Sequence, residues 1–186
     1  WAASFMASEA AAQPMSTSAG HIALLLDELP ANTPLFIGNS LAIRQLDSTS
    51  GSGEKPLVFY GNRGASGIDG NISTALGIAA VHGRVVALLG DLTCQHDLGG
   101  LALAQERNAI IVAVNNRGGG IFDHLPQASL PEFEQGWRTP QQISFEHAAL
   151  TFGLGYAKAE CVDAFRETLR QTIRSGGPHL IELVVN

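Results

Sequence analysis

The chain has few cysteines and few charged side chains, and both shortages restrict its function. Its 186 residues include two cysteines, Cys94 and Cys161, which form no CxxC pair, so neither a disulfide framework nor a cysteine-based zinc site is expected. Charged residues make up 15% of the chain, below the usual share of about 25%, which suggests a surface that packs against other protein. The net charge of −6, without any run of Lys or Arg, argues against nucleic-acid binding as the main function.

Long apolar runs and nucleotide-binding fingerprints are also missing. No apolar stretch approaches the ~18 residues that a membrane span requires. No Lys or Arg precedes Arg44, so the N-terminal region lacks the basic part of a signal peptide. There is no GxGxxG motif opening a βα unit and no Walker GxxxxGK[ST] motif. These absences favour a cytoplasmic protein with reduced thiols.

Apolar runs and segments of helical composition alternate along most of the chain. Predicted strands begin at Pro34, Leu57, Arg84, Ile110, Gly155 and His179, and predicted helices lie at 16–29, 41–46, 71–83, 97–108, 144–153 and 161–177. This alternation predicts an α/β fold: an open, mainly parallel sheet of about six strands with helices on both faces.

The chain is most simply one domain preceded by a short tail. Residues 1–15 are Ala-rich and weakly patterned, and they are interpreted as a linker remnant before a single domain over residues 16–186. Because the chain begins with Trp1 rather than Met, we expect it to be a piece of a longer protein. Residues 48–56, STSGSGEKP, have the composition of a flexible surface loop.

The stretch from Gly90 to Phe122 carries the strongest functional signal. Asp91 follows the apolar run RVVALLG, and Asn115 and Asn116 follow the next run, IIVAV. If these runs are neighbouring parallel strands, the three side chains meet at the carboxyl edge of the sheet, where open α/β folds bind ligands. A carboxylate, an amide oxygen and Gly-rich backbone suit Mg²⁺ that shares its shell with substrate phosphates.

Each half of this pattern also has a plainer interpretation. An Asp after a strand often caps the following helix, so Asp91 alone is weak evidence for a metal site. Asn115 and Asn116 could form a turn, because Asn tolerates left-handed backbone. The joint pattern is stronger than either half, since both lie at predicted strand ends and glycines follow the second.

GD and NN at this spacing resemble the thiamine diphosphate (ThDP) motif, whose usual form is GDG…NN. Leu92 stands where that motif has its second Gly, and residues 93–114 separate the two halves. The resemblance implies that Asp91, Asn116 and the main-chain oxygen of Gly118 hold Mg²⁺ or Mn²⁺. It also implies that the metal bridges the ThDP diphosphate, with Gly90 and Leu92 beside the cofactor.

Three further segments indicate which family of ThDP enzymes the chain resembles. GNSLAIR (38–44), NRGASGIDG (62–70) and NNRGGGIF (115–122), together with GDL, closely resemble the MenD family of 2-succinyl-5-enolpyruvyl-6-hydroxy-3-cyclohexene-1-carboxylate synthases of menaquinone biosynthesis. The similarity runs from about residue 20 to the C-terminus. Such transferases join 2-oxoglutarate to isochorismate with release of CO₂ and act as homo-oligomers, dimers or tetramers.

The resemblance also implies which residues bind the substrates. Both substrates carry two carboxylates, which arginine binds in bidentate fashion. Arg44 and Arg63 match the substrate-contacting arginines of the family, and Ser40 and its neighbour Asn39 are expected beside the same pocket. Taken alone, Arg44 would be read as part of a solvated helix face.

Three apolar residues match positions around the cofactor. Ile68 matches the residue that props ThDP into its bent shape, and Ile121 and Phe122 match residues that flank the cofactor or the substrate. Without the resemblance, Ile68 would be ordinary core, and Ile121 and Phe122 would pack a helix on the sheet. Asp69 could cap the helix that follows it.

One essential group has no counterpart in this sequence. ThDP enzymes use a glutamate that bonds the cofactor's pyrimidine ring, and in this family it lies on a separate N-terminal domain. No catalytic residue is therefore assigned, and the chain alone is expected to be inactive and to bind ThDP weakly. The alternatives are the same domain of another ThDP enzyme, such as an acetolactate-synthase-like or oxalyl-CoA-decarboxylase-like protein, and a non-catalytic interaction module.

Overall fold

A computed structural model describes residues 18–49 and 55–185. The predicted linker remnant at 1–15, and most of the predicted loop at 48–56, lie outside the described residues.

The described residues alternate between strands and helices along the chain. The strands are β1 (Pro34–Ile37), β2 (Val58–Tyr60), β3 (Val85–Gly90), β4 (Ala109–Asn115), β5 (Gly155–Ala159) and β6 (His179–Val184). The α-helices are α1 (Ser18–Glu28), α2 (Leu41–Thr49), α3 (Asn71–His82), α4 (Asp91–His96), α5 (Phe145–Thr151) and α6 (Val162–Ser175). Short 3-10 helices cover Leu98–Leu103, Gly120–His124 and Pro126–Ser129, and a π-helical turn covers Glu134–Arg138.

The strands form one parallel sheet in the order β2-β1-β3-β4-β6-β5. The predicted α/β fold is confirmed, and helices cover both faces of the sheet. Within the part of the chain that the structure describes, no helix is long and apolar enough to span a membrane.

Alternate side chains of the strands fill two separate cores. On β3, Val86 and Leu88 pack with α1, α2 and α6, whereas Ala87 and Leu89 pack with α3, α4 and α5. Both faces of the strand are therefore covered by helices, and residues 85–89 are all buried. A parallel strand that is covered on both faces has a continuous run of apolar residues, so these strands could be predicted from the sequence.

The order in which strands are added to the sheet reverses between β1 and β3, and this creates a crevice. From β1 the chain continues through α2 to β2 on one side, while β3 pairs with the other side of β1. Ala42 of α2 belongs to one core and Cys94 of α4 to the other, so the chain leaves these two strands toward opposite faces. Such a switch point opens a ligand site at the carboxyl edge of a parallel sheet.

The predicted helix over residues 97–108 is wrong in form. The chain instead ends α4 at His96 and continues as a 3-10 helix over Leu98–Leu103. Gly99 and Gly100 favour helix poorly. The carboxylate of Asp97 also turns away to accept hydrogen bonds from the backbone N–H and the hydroxyl of Ser73, at 2.8 and 3.1 Å.

The same contact explains why Asp69 does not cap α3. The helix begins after Gly70, which has a left-handed backbone and provides no side-chain cap. Asp97 accepts the N–H of Ser73, one of the donors that a helix start leaves without an internal partner. A cap from a distant segment thus replaces the local one that the sequence suggested.

Candidate functional site

The carboxyl ends of β1, β3 and β4 surround a cleft of about 220 Å³. Nine of the residues expected to bind substrate, cofactor or metal line it: Ser40, Ile68, Gly90, Asp91, Leu92, Asn116, Gly118, Ile121 and Phe122. These residues come from four separate stretches of sequence, and the sheet brings them to one edge. Arg44 and Arg63 do not line this cleft.

Asp91 links the two halves of the central motif. It is the first residue of α4, and its side chain is 5% exposed. Its Oδ2 accepts the N–H of Gly118 at 2.8 Å, and its Oδ1 accepts the N–H of Leu92 at 2.7 Å. Burial raises the pKa of Asp91, while these backbone N–H groups act in the opposite direction. A buried carboxylate whose charge is only partly compensated is suited to a cation.

Asn116 presents an acceptor that the protein leaves unused. Its Oδ1 is buried and has no hydrogen-bond partner among the described residues. Its Nδ2 lies so close to Gly120 that a Cβ there would clash, which restricts the side chain to a narrow space. Buried polar atoms without a partner are uncommon, so this oxygen calls for a ligand that the protein itself does not supply.

The carbonyl of Gly118 completes a set of three oxygen donors. It accepts the N–H of Gly120 at 2.9 Å, which leaves its second lone pair available. One carboxylate, one amide oxygen and one main-chain carbonyl are the hard donors that Mg²⁺ and Mn²⁺ prefer, so the residues fit such an ion. Within residues 18–49 and 55–185 there is no cluster of three His, Cys, Asp or Glu that could hold a metal instead.

Asn115 has a different task from Asn116. Its Oδ1 accepts the N–H of Arg117 at 3.0 Å, and its Nδ2 donates to Glu182 at 2.7 Å. The left-handed backbone of this turn belongs to Arg117 (φ 62°) and to neither asparagine, so Asn115 supports the turn through its side-chain bond to the main chain. Tyr156 donates to the other oxygen of Glu182 at 2.5 Å, and burial and this carboxylate raise the pKa of Tyr156.

Sequence reasoning missed Glu182, although a signal was present. This buried acid interrupts the apolar strand HLIELVV, in which every neighbour is suited to a sheet core. A buried acid in such a strand requires partners. Its partners Asn115 and Tyr156 join β6 to the end of β4 and to β5, so Glu182 supports the loop that bears Asn116.

The glycines after the asparagine pair accommodate the protein's own backbone. Gly118 has a φ of 127°, and a Cβ on it would collide with the carbonyl oxygen of Arg138. A Cβ on Gly119 would lie 2.7 Å from the carbonyl oxygen of Trp137. These two glycines therefore allow the close approach of residues 137–138 to the loop.

The two arginines expected to bind substrate form hydrogen bonds within this chain. Arg44 is exposed, and its Nη1 donates to the carbonyl of Ser40 one helical turn earlier, at 2.8 Å. Arg63 donates through Nη1 to Oδ1 of Asn39 at 2.5 Å. The structure therefore places Arg44 on a helix surface and Arg63 behind a residue of the cleft wall.

Asn39 joins its own segment, GNSLAIR, to the segment NRGASGIDG. It is 4% exposed and lines the cleft at the end of β1. Its Nδ2 donates to the carbonyls of Gly67 and Asn62, at 2.6 and 3.2 Å. These bonds fix the loop that places Ile68 in the cleft, which gives a physical reason for GNS and NRGASGI to occur together.

Comparisons with known proteins show the family to which the chain belongs. The family model described as thiamine pyrophosphate enzyme, C-terminal TPP binding domain, matches residues 50–183. A 2-succinyl-5-enolpyruvyl-6-hydroxy-3-cyclohexene-1-carboxylate synthase from Dechloromonas aromatica (strain RCB) is 66% identical over 88% of this chain, and one from Salinibacter ruber (strain DSM 13855 / M31) is 44% identical over 87%. The chain spans 30% and 27% of the lengths of these two relatives.

Solved structures show the same fold at low sequence identity. Benzoylformate decarboxylase from Polynucleobacter necessarius superposes with a TM-score of 0.76 at 17% identity, covering 94% of this chain and 35% of that one. A putative thiamin diphosphate-dependent enzyme from Mycobacterium smegmatis gives a TM-score of 0.72 at 20% identity, covering 93% of this chain and 32% of that one. The family model covers most of the chain, and the protein therefore belongs to the C-terminal TPP-binding domains of thiamine pyrophosphate enzymes.

Proposed function

We propose that this chain is the cofactor-binding domain of a synthase that joins 2-oxoglutarate, with loss of CO₂, to isochorismate in menaquinone biosynthesis. The observation that carries the proposal is the cleft lined both by the buried carboxylate of Asp91 and by Asn116, whose Oδ1 has no partner among the described residues. The relative from Dechloromonas aromatica, which is 66% identical and bears the name of that synthase, supports the choice of reaction.

In this proposal, three oxygens hold the divalent ion. Asp91, Asn116 and the carbonyl of Gly118 would bind Mg²⁺ or Mn²⁺, and the ion would neutralise the ThDP diphosphate beside Gly90 and Leu92. Bound ThDP supplies the electron sink that lets a 2-oxo acid lose CO₂ and its acyl carbon act as a nucleophile.

The apolar wall and the nearby polar groups would serve the organic part of the site. Ile68, Ile121 and Phe122 line the cleft, where they exclude water and shape the space for the cofactor rings. Ser40 is in the same wall, and Arg44 bonds its carbonyl. Ser40, Arg44 and Arg63 remain the proposed contacts for the substrate carboxylates, since arginine binds such groups in bidentate fashion.

The proposal places part of the active site outside this chain. The glutamate that contacts the pyrimidine ring is expected on another domain and across a subunit interface, so the complete enzyme would be a homo-oligomer. Small metabolites as substrates, and two cysteines without a disulfide, favour a cytoplasmic location. Turnover of both substrates by the 186-residue chain alone would contradict this division of the site.

Calorimetric titration with ThDP tests the cofactor assignment. We expect the chain to bind ThDP in millimolar Mg²⁺ and to bind it about tenfold or more weakly in EDTA, because a diphosphate beside a buried carboxylate needs an intervening cation. Equal binding with and without the metal would remove the proposed role of Asp91 and Asn116. No binding in either condition would leave only an interaction role for the isolated chain.

A further inference from the structure

Residues 134–140, which we call the clasp, lie behind the loop that carries Asn116 and Gly118. The clasp opens with the π-helical turn Glu134–Arg138, a rare form of backbone that is frequent at functional sites. It continues through Thr139, whose backbone is left-handed (φ 43°). None of the seven clasp residues, all of which the structure describes, lines the cleft.

The backbone of the clasp is bonded directly to the loop. The N–H of Gly119 donates to the carbonyl of Arg138 at 2.7 Å. A Cβ on either Gly118 or Gly119 would collide with the clasp backbone, so both glycines allow this approach. The main chain on the C-terminal side of Asn116 is thus held by contacts outside the cleft.

The side chain of Arg138 holds the other side of Asn116. Its Nη2 donates to the carbonyl of Asn116 at 2.7 Å, and its Nη1 pairs with Asp123. The Arg138 side chain is 23% exposed, so solvent screens this ion pair less than a fully exposed one. A guanidinium can bond two acceptors in one plane, whereas the ammonium of lysine is a compact point charge.

We infer that Arg138 is a positioning residue: with its own carbonyl and its guanidinium it fixes the main chain around Asn116, so that the oxygens of Asn116 and Gly118 face the cleft. Asp123 holds the guanidinium in place. The inference rests on the proposed metal-dependent binding of ThDP, and it adds a residue that touches neither cofactor nor metal.

Charge and positioning are two different ways in which Arg138 can act. Its positive charge also acts on the Asp91 carboxylate through space. Arg138→Lys keeps the charge and loses the planar fork, whereas Arg138→Gln loses both. Arg170→Lys is a matched control, because Arg170 forms a bidentate pair with Glu28 between α6 and α1 and has no contact with the cleft.

The test combines ThDP titration in Mg²⁺ with hydrogen exchange at the Gly119 amide. In Arg138→Lys and in Asp123→Asn we expect ThDP affinity to fall about tenfold, a typical cost of losing a group that orients a metal ligand. We expect the Gly119 amide to exchange about tenfold faster in Arg138→Lys, since its acceptor is no longer held. Arg170→Lys should match the wild type in both measurements.

Three outcomes overturn the inference. Arg138→Lys with wild-type affinity and Arg138→Gln with weak binding would show that charge alone matters. An Arg138→Lys chain that melts at a lower temperature than the wild type, but keeps its affinity for ThDP and the slow exchange of the Gly119 amide, would show that the contact is purely structural. If the wild-type chain shows no Mg²⁺-dependent binding of ThDP, the proposed function fails. Hydrogen exchange then tests the positioning role separately, because an unchanged exchange rate of the Gly119 amide in Arg138→Lys would refute it.

Discussion

Replacing Asp91 by asparagine is expected to abolish Mg²⁺-dependent ThDP binding while the chain stays folded. Asp91 is the charged member of the three proposed metal ligands, and the others are neutral oxygens. Loss of a direct ligand should exceed the 10–100-fold cost of losing a group that only orients one, so we expect a loss of about 100-fold or more. The chain should stay folded but lose some stability. Asparagine keeps the shape of the side chain, but its amide nitrogen cannot accept either of the two N–H groups, of Gly118 and Leu92, that the carboxylate accepts together.

Calorimetric titration and thermal melting together measure this effect. Asp97→Asn is the matched control, because Asp97 caps α3 through Ser73 and does not line the cleft. Asparagine can still accept the N–H of Ser73, so the free energy of unfolding should change by less than about 1 kcal/mol, and metal-dependent binding should be kept. An Asp91→Asn chain that binds ThDP with the wild-type dependence on Mg²⁺ would contradict the proposed metal site.

Gly118→Ala is expected to have the largest effect on stability of any single methyl addition in the loop. Its φ of 127° is rarely adopted by residues with a side chain, and the new Cβ would collide with the carbonyl of Arg138. The loop and the clasp must separate, which should cost roughly 3 kcal/mol or more of unfolding free energy. Metal-dependent ThDP binding should be lost with it, since the Gly118 carbonyl would move.

Chemical denaturation of Gly118→Ala and Gly77→Ala separates this effect from a general effect of the substitution. Gly77 lies inside α3, where a Cβ would meet no atom within 4 Å. The same change there should raise the free energy of unfolding by about 1 kcal/mol, because alanine favours helix over glycine. Equal stability of Gly118→Ala and the wild type would show that the clasp does not press on the loop.

The fold, and the placement of Asp91 and Asn116 in one cleft at the same edge of the sheet, followed from local sequence patterns. Strands buried on both faces give continuous apolar runs, and the helices between them show their own composition. Once two such runs are taken as parallel neighbours, the residues that follow them must lie at one edge of the sheet. The pairing of Gly90 with Val114 places Asp91 and Asn116 there.

Several contacts that determine the start of α3 or the shape of the site join residues distant in sequence, and no local pattern predicts them. Asp97 bonds Ser73, 24 residues away, and this contact belongs to the segment that was expected to be a plain helix. Arg138 bonds Asn116, which lies 22 positions earlier in the sequence. Asn39 accepts a hydrogen bond from Arg63 and donates one to the carbonyl of Gly67. The family resemblance indicated that GNSLAIR and NRGASGIDG occur together, but it did not show these bonds.

Crystals of the chain grown with Mn²⁺ and ThDP test the central claim most directly, because the anomalous signal of manganese locates the ion. The account predicts one Mn²⁺ bound by the Asp91 carboxylate, Oδ1 of Asn116 and the carbonyl of Gly118, with oxygens of the ThDP diphosphate in the same coordination shell. A diphosphate held in the cleft with the ion elsewhere, or an ion that leaves Oδ1 of Asn116 unbonded, would contradict it.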